Sequence, residues 1–380
     1  MIAAAAWEGR RAELGRNAQR APRGGFACCP PIGKARTLTP VLATQLGPAE
    51  TRFILYMACI VGSIAAGYAA RRTGLLRPSR AAPVMSAAII GCDAPIALVA
   101  VWHLDLQAGV WKVPVSGAAV GVAMCLVGLG VARLARMRPA DAAVFGLQGG
   151  MGNVGYTMGG SLCFALWGMQ GLALEQMYCL MWPFFSFLFC FPLAYHYREL
   201  ARGRRDETSD VVYALRTLGR SLCDVRSLPL YTATLGLALN LWDAAPPAAV
   251  EQWHVVDVLM VVGIILQFGG VGLTVRARRL PRFWKKALGA SALKLVASPL
   301  LMLGLAMAMG MTGLPLQVCI LLAAMPSALY TVLMANIFGL NRNLANATFI
   351  LTHALCLAAV AAAGLAWRMG GMDSVFAPGQ

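Results

Sequence analysis

Charge is scarce in this 380-residue chain: 13% of its residues are charged, against 59% apolar, and its mean hydropathy is +0.66. A soluble domain carries about a quarter charged residues, so this composition excludes a soluble fold of that length. The short motifs of familiar chemistry are missing too. Without a G-x-x-x-x-G-K-[ST] loop there is no P-loop to couple the protein to ATP. Without G-x-S-x-G or H-E-x-x-H there is no hydrolase elbow and no zinc-protease helix. The eleven cysteines form no CxxC and no Cys/His metal spacing. Eight of them, Cys59, Cys92, Cys125, Cys163, Cys179, Cys190, Cys319 and Cys356, lie in apolar runs, where thiols act as small apolar side chains. Neither a disulfide, a metal site nor a cofactor is read from them.

What the chain does have is ten apolar stretches, near 52–71, 83–102, 113–135, 142–167, 172–195, 227–243, 255–275, 287–309, 315–338 and 344–367. A bilayer core of about 30 Å takes about 20 apolar residues per helix. Between the stretches, the odd-numbered gaps hold 21 of the 32 basic residues, from Arg71 to Arg342, and the even-numbered gaps hold Lys112 alone. Short basic loops stay in the cytoplasm. The pattern predicts an all-α polytopic membrane protein with ten spans, in a bacterial inner membrane, with both termini periplasmic. The net charge of +16 is then a topology device facing anionic lipid rather than a nucleic-acid footprint.

Residues 1–51 break the pattern. They carry seven basic residues, Cys28–Cys29 and several prolines, with no apolar core of signal-peptide length. They read either as a disordered basic tail or as an over-extended start, and no function is assigned to them. Residues 368–380 read as a C-terminal tail.

Ten spans divide at the polar segment 196–226 into 52–195 and 227–367, five spans each. An odd number makes the second half enter the membrane upside down relative to the first, the inverted-repeat plan of many secondary transporters. The fourth stretch reads MGNVGYTM from Met151 and the ninth reads MPSALYTV from Met325, so Met, Tyr and Thr coincide at the position the symmetry selects. Helix should fail at both places. Residues 146–160 contain seven glycines in fifteen, and each interior glycine costs a helix about 1 kcal/mol. Pro326 removes a backbone donor. Paired breaks at mid-membrane point to a binding site, and the half-helix N-termini that meet there favour an anion. Glycines in membrane helices also serve close packing against neighbours, and that reading stands beside the break.

Polar residues within the spans supply the candidates. Asn153, Tyr156, Thr157, Ser161, Ser327, Tyr330, Thr331 and Asn336 cluster on the two interrupted segments with Pro326, and suit a carboxylate without trapping it. Asp93, two residues before Pro95, costs about 3 kcal/mol at that depth and is a candidate for coupling to protons or another cation. Gln267 sits at comparable depth in the seventh stretch and can bond substrate, Asp93 or a neighbouring helix. His353 is a second coupling candidate, or else a helix tie. Lys294 is expected to snorkel toward the cytoplasmic anchors Lys285 and Lys286, with pairing to an anionic substrate as the other reading. Glu175, at the outer end of the fifth stretch, reads as interfacial.

The opening FILYMACIVGSIAAGYAARRTGLL and the ninth-to-tenth segment AAMPSALYTVLMANIFGLNRNLANATFILTHAL resemble the auxin efflux carrier family, which includes plant auxin exporters and bacterial malonate- or malate-carrier relatives. Pro95 and Pro299 also sit where that family has proline. The resemblance covers about 52–367. It implies the inverted five-helix fold shared with bile-acid/sodium symporters and sodium/proton antiporters. It also implies an elevator motion, with a crossover at Gly152–Asn153–Val154–Gly155 and Met325–Pro326–Ser327. Three departures mark a divergent member: Thr157 at a proline position of the fourth span, no proline near Ile264, and Asp93 where asparagine is common.

The function read from these features is secondary transport of a small organic anion, coupled to a proton or sodium ion, by a monomer or homodimer and with no nucleic-acid partner. A non-transporting sensor is the first rival, although 31 residues at 196–226 leave little room for a signalling domain. A membrane enzyme, which would have to use His353 with Ser327, is the second.

Overall fold

The computed structural model describes residues 48–106, 109–156, 158–203, 215–216, 218–220, 222–274 and 280–368. Residues 1–47, 107–108, 157, 204–214, 217, 221, 275–279 and 369–380 lie outside them. Among the described residues all regular structure is helical except for one β-bridge. The helices are α1 (Pro48–Arg72), α2 (Pro78–Trp102), α3 (Lys112–Leu134), α4 (Pro139–Gly150), α5 (Gly159–Cys179), α6 (182–201), α7 (Leu228–Leu241), α8 (Ala248–Gln252), α9 (Val255–Thr274), α10 (Pro281–Ala308), α11 (Gly313–Ala323), α12 (Leu329–Ile337) and α13 (Arg342–Arg368).

Proline shapes several of them. Pro139 opens α4 at its first turn, where no backbone donor is missed. Three helices carry a π-helical stretch ending two residues before a proline: Ile89–Asp93 before Pro95, Phe185–Cys190 before Pro192 and Leu293–Ala297 before Pro299. Proline cannot donate to the preceding turn and its ring crowds that turn's carbonyl, so the helix widens there.

Seven helical runs are long and apolar enough to cross a membrane: Thr51–Arg72, Pro78–Trp102, Lys112–Leu134, Gly159–Ala201, Val255–Thr274, Pro281–Ala308 and Arg342–Ala363. All ten apolar stretches fall on helices, but three, 142–167, 227–243 and 315–338, are not single long ones. The 43-residue run Gly159–Ala201 would be about 65 Å long if straight, twice the bilayer core. It is not straight. Gly168 adopts φ +60° and ψ −145°, a conformation open to glycine and few other residues. A Cβ on Gly171 would lie 2.5 Å from the Cys163 carbonyl oxygen, whereas eight residues of continuous helix would separate them by about 12 Å. The chain therefore turns back at Gly168, ending the fourth stretch and starting the fifth.

Helix ends sort by the parity of the gaps they border. On one side, Lys286 and Asn341 both bond Asp141, at 2.5 and 2.7 Å, joining gaps three, seven and nine. Arg71 reaches the Leu273 carbonyl at 3.5 Å, joining gaps one and seven. On the other side, Lys112 bonds the Met309 carbonyl at 2.7 Å, Trp102 the Ala244 carbonyl at 2.6 Å and Gln170 the His103 carbonyl at 2.9 Å, all in even gaps. The end rich in arginine and lysine is thus one end of the bundle.

Asp141 is a buried staple between α4, α10 and the start of α13. Asp141→Ala deletes two charge-assisted bonds and leaves Lys286 without its acid. The expected loss is about 2–3 kcal/mol of stability, seen as a lowered unfolding temperature in detergent. An unfolding temperature equal to wild type would contradict the staple.

Glycines set the closest helix approaches. A Cβ on Gly67 of α1 would lie 2.2 Å from the Gly269 carbonyl oxygen of α9, and one on Gly236 of α7 would lie 2.4 Å from the Leu98 carbonyl oxygen of α2. Those two packings, α1 on α9 and α7 on α2, exchange when the first stretch is matched to the sixth and the second to the seventh. Between α3 and α4 the same device recurs, with Gly128 and Gly150 set against Gly146 and Gly121. One apolar core runs from Tyr56 to Cys356, and a second, small cluster joins Ala233 of α7 to Ala97 and Val101 of α2.

Candidate crossover site

The fourth and ninth stretches are interrupted at Met151–Met158 and Ala324–Ala328. The two interruptions touch. Asn153 N–H donates to the Pro326 carbonyl at 2.7 Å, Ala328 N–H donates to the Met151 carbonyl at 2.9 Å, and Gly152 and Ser327 form an antiparallel bridge. Each segment thereby satisfies backbone groups that the other's broken helix leaves free, as backbone at membrane depth requires. Exchanging the aligned segments turns the Asn153–Pro326 pair into the Ser327–Gly152 pair, so the contact is close to two-fold.

The glycines divide between the two roles open in the sequence. Gly146, Gly149 and Gly150 are helical and lie against α3 and α10, where Cβ atoms would come within 2.3–2.8 Å of their neighbours. Gly152 and Gly155 belong to the interruption itself, and Gly159 opens α5 against it.

Side chains brace the crossing from α13. Ser327 Oγ donates to the Gln148 carbonyl at 3.1 Å and its N–H to Thr352 Oγ1 at 3.3 Å, and Gln148 Nε2 reaches the Ala345 carbonyl at 3.0 Å. His353 Nδ1 lies 2.8 Å from the Phe349 carbonyl and its Nε2 lies 3.2 Å from Asn153 Nδ2. A carbonyl can only accept, so Nδ1 carries the proton; Nε2 then accepts from the Asn153 amide. Both nitrogens are engaged, and His353 orients Asn153.

The other expected residues take separate positions. Gln267 does not face the crossing; its Nε2 donates to both carboxylate oxygens of Asp93, at 2.9 and 3.1 Å. Both are buried between α2 and α9. Tyr156 packs against Ala97 and Val101 on α2, and its hydroxyl bonds Gln176. Tyr330 stacks edge-on against Trp182 at 4.9 Å. Thr331, Ser161 and Asn336 bond carbonyls of their own segments, Ala328, Met158 and Val332. Thr157 lies outside the described residues.

Two expectations are corrected. Glu175 is not interfacial: it is 0% exposed. Its carboxylate accepts from Gln176 and from the Cys179 thiol, and lies so close to the first turn of α5 that a Cβ on Gly160 would meet Oε2 at 2.9 Å. An anion is favoured at a helix N-terminus. Because the helix after Gly168 begins before residue 172, Glu175 stands well inside it. Lys294 does not snorkel either. It is 3% exposed, and its Nζ lies 3.0 Å from the position of a Cβ on Gly152. Gln148, Gln176 and Thr352 completed the site without being singled out in the sequence. Gln148, between Gly146 and the Gly149–Gly150 pair in GLQGG, carried the one available signal, a polar side chain beside residues too small to bury it.

Residues 256–362 match the family described as Membrane transport protein. The model that matches there is that of the auxin efflux carrier family domain. The domain runs from α9 into α13 and contains Gln267, Lys294, Pro326, Ser327 and His353, the ninth-stretch half of the crossing. No curated protein matches the chain.

Proposed function

We propose that this protein is a secondary carrier of a small organic anion in the bacterial cytoplasmic membrane, with ten spans arranged as two inverted five-helix repeats. The crossing of the two interrupted segments carries this reading, since paired breaks at one depth are where such carriers hold substrate. The exchange of the α1–α9 and α7–α2 packings between halves supports the repeat. The basic end of the bundle, taken as cytoplasmic, leaves both termini periplasmic. In an elevator motion, α1, α2, α7 and α9 form the scaffold, and the crossing moves with the remaining helices. Asn153, Pro326 and Ser327 present backbone and polar groups to the substrate. Asp93, paired with neutral Gln267 and no cation, is the coupling group for a proton, and His353 positions Asn153. Tyr156 and Tyr330, on the two aligned segments, border the path.

Purified protein in liposomes tests the reading by flux of radiolabelled malonate, malate, pyruvate and phenylacetate under an imposed pH gradient. Accumulation of at least one above empty liposomes is the expected result. Accumulation of none, by protein that unfolds cooperatively, would overturn it.

A further inference from the structure

Lys294 is a charged side chain placed against the crossing from α10, and among the described residues no acid pairs with it. Its Nζ donates to the Ser298 hydroxyl at 3.5 Å. None of the ion pairs among the described residues includes it. The C-terminal end of α4, at Gly150, supplies only about half a negative charge, so a full ammonium stays partly uncompensated in a membrane interior where an unpaired charge is costly. Nζ borders a cavity of about 20 Å³, lined by Gly117, Gly150, Gly152, Tyr178, Trp182 and Phe185. The space takes a water or a carboxylate oxygen rather than a whole molecule. Gly152 keeps it open, because a Cβ there would stand 3.0 Å from Nζ and 3.1 Å from Cε.

We propose that Lys294 binds the carboxylate of the transported anion at this cavity, so that the charged end of the substrate lies against the Gly152 backbone and its body against Tyr178 and Trp182. The proposal rests on the carrier reading and sharpens it. It makes one carboxylate obligatory, and it makes the amide of the same acid a non-ligand. A lysine serving only to oppose the end of α4 would show no such discrimination.

The test uses the full-length purified protein and four probes, phenylacetate, phenylacetamide, malonate and malonamide, read by thermal unfolding and by flux of any carboxylate that shifts it. Wild type is expected to be stabilised by a carboxylate and not by its amide. Lys294→Met should weaken that carboxylate about thirtyfold or more while unfolding, without ligand, at or above the wild-type temperature, because an uncompensated charge has gone. Lys294→Arg should keep the preference for acid over amide. Gly152→Ala, whose methyl has the end of the Lys294 side chain and a methyl of Val154 as its nearest neighbours, should fold and bind the carboxylate more weakly. Wild-type affinity in Lys294→Met, or in Gly152→Ala should the former not fold, overturns the proposal and leaves the carrier reading standing. A wild type that neither binds nor moves either carboxylate overturns this proposal, and failure across the wider flux panel removes the reading beneath it.

Discussion

Asp93→Asn is expected to disconnect transport from the pH gradient. If one proton accompanies each substrate, wild-type accumulation at fixed membrane potential changes roughly tenfold per pH unit of gradient, and the variant's should not change. The geometry makes the substitution clean. Gln267 Nε2 donates to both Asp93 oxygens, at 2.9 and 3.1 Å. Asparagine keeps one acceptor and turns the other position into a donor facing a donor. The cost is about one hydrogen bond, near 1 kcal/mol, too little to unfold the protein, so a changed flux reports on coupling. The neutral amide matters here. An arginine or lysine partner would tie the carboxyl to its charged form, whereas an amide can donate to a carboxyl with or without a proton on its other oxygen. Unchanged gradient dependence in Asp93→Asn would remove Asp93 from the coupling role and leave the crossing untouched.

The broad architecture was legible because bilayer physics writes it in long runs. Apolar stretches of span length, alternate basic gaps and a glycine cluster matched by Pro326 are properties of whole segments, and each fell on helices, on one end of the bundle or on a break. Single polar residues were read less well. Lys294 inside an apolar run looks the same whether its stem lies along lipid or enters the protein. The direction is set by which face of α10 packs on the crossing, and the π-helical stretch Leu293–Ala297 shifts that face locally. Glu175 was misplaced for a different reason. The sharp turn at Gly168 joins two helices that hydropathy alone merges, so depth counted from the edge of the apolar run began at the wrong residue. Thr331, Ser161 and Asn336 bond their own backbones, the ordinary fate of short polar side chains on helices, and nothing in their spacing separates that from facing a substrate.

The assignment of Gln267 shows how tertiary pairing resolves what sequence leaves open. Substrate, Asp93 and a neighbouring helix were all within an amide's chemistry. Only the α2–α9 packing, in which a Cβ on Gly263 of α9 would lie 3.3 Å from Cys92 Cβ of α2, brings positions 93 and 267 together. The same packing commits the Gln267 amide to Asp93, while Asn153 and Ser327 carry the meeting of the two breaks with His353 and Thr352 bonded to them.

Gly159→Ala should be the most damaging small substitution in the protein, and Gly155→Ala, four residues earlier, should be nearly silent. A Cβ on Gly159 would lie 2.1 Å from the Val154 carbonyl oxygen, 2.6 Å from its carbon and 2.7 Å from Leu322 Cδ2. Two of those atoms are backbone of the interruption itself and cannot swing aside. The bond from Gly159 N–H to the Asn153 carbonyl, 3.2 Å long, fastens the same loop, so the methyl must push the loop that carries Asn153 off the start of α5. That displaces Asn153 from Pro326 and His353 together, by about 1 Å, and shifts of this size at a reacting or binding centre cost on the order of 100-fold in rate. Overpacking adds about 1–3 kcal/mol of destabilisation. At Gly155 an added Cβ meets nothing within 4 Å and its φ is not in the left-handed region, so alanine there should change flux little and can stabilise by about 0.4–1 kcal/mol through a less flexible unfolded chain. Flux and unfolding temperature for the pair decide the matter. Equal losses at both positions would mean that glycine is needed for general flexibility, and not that this loop is held in one arrangement against α5.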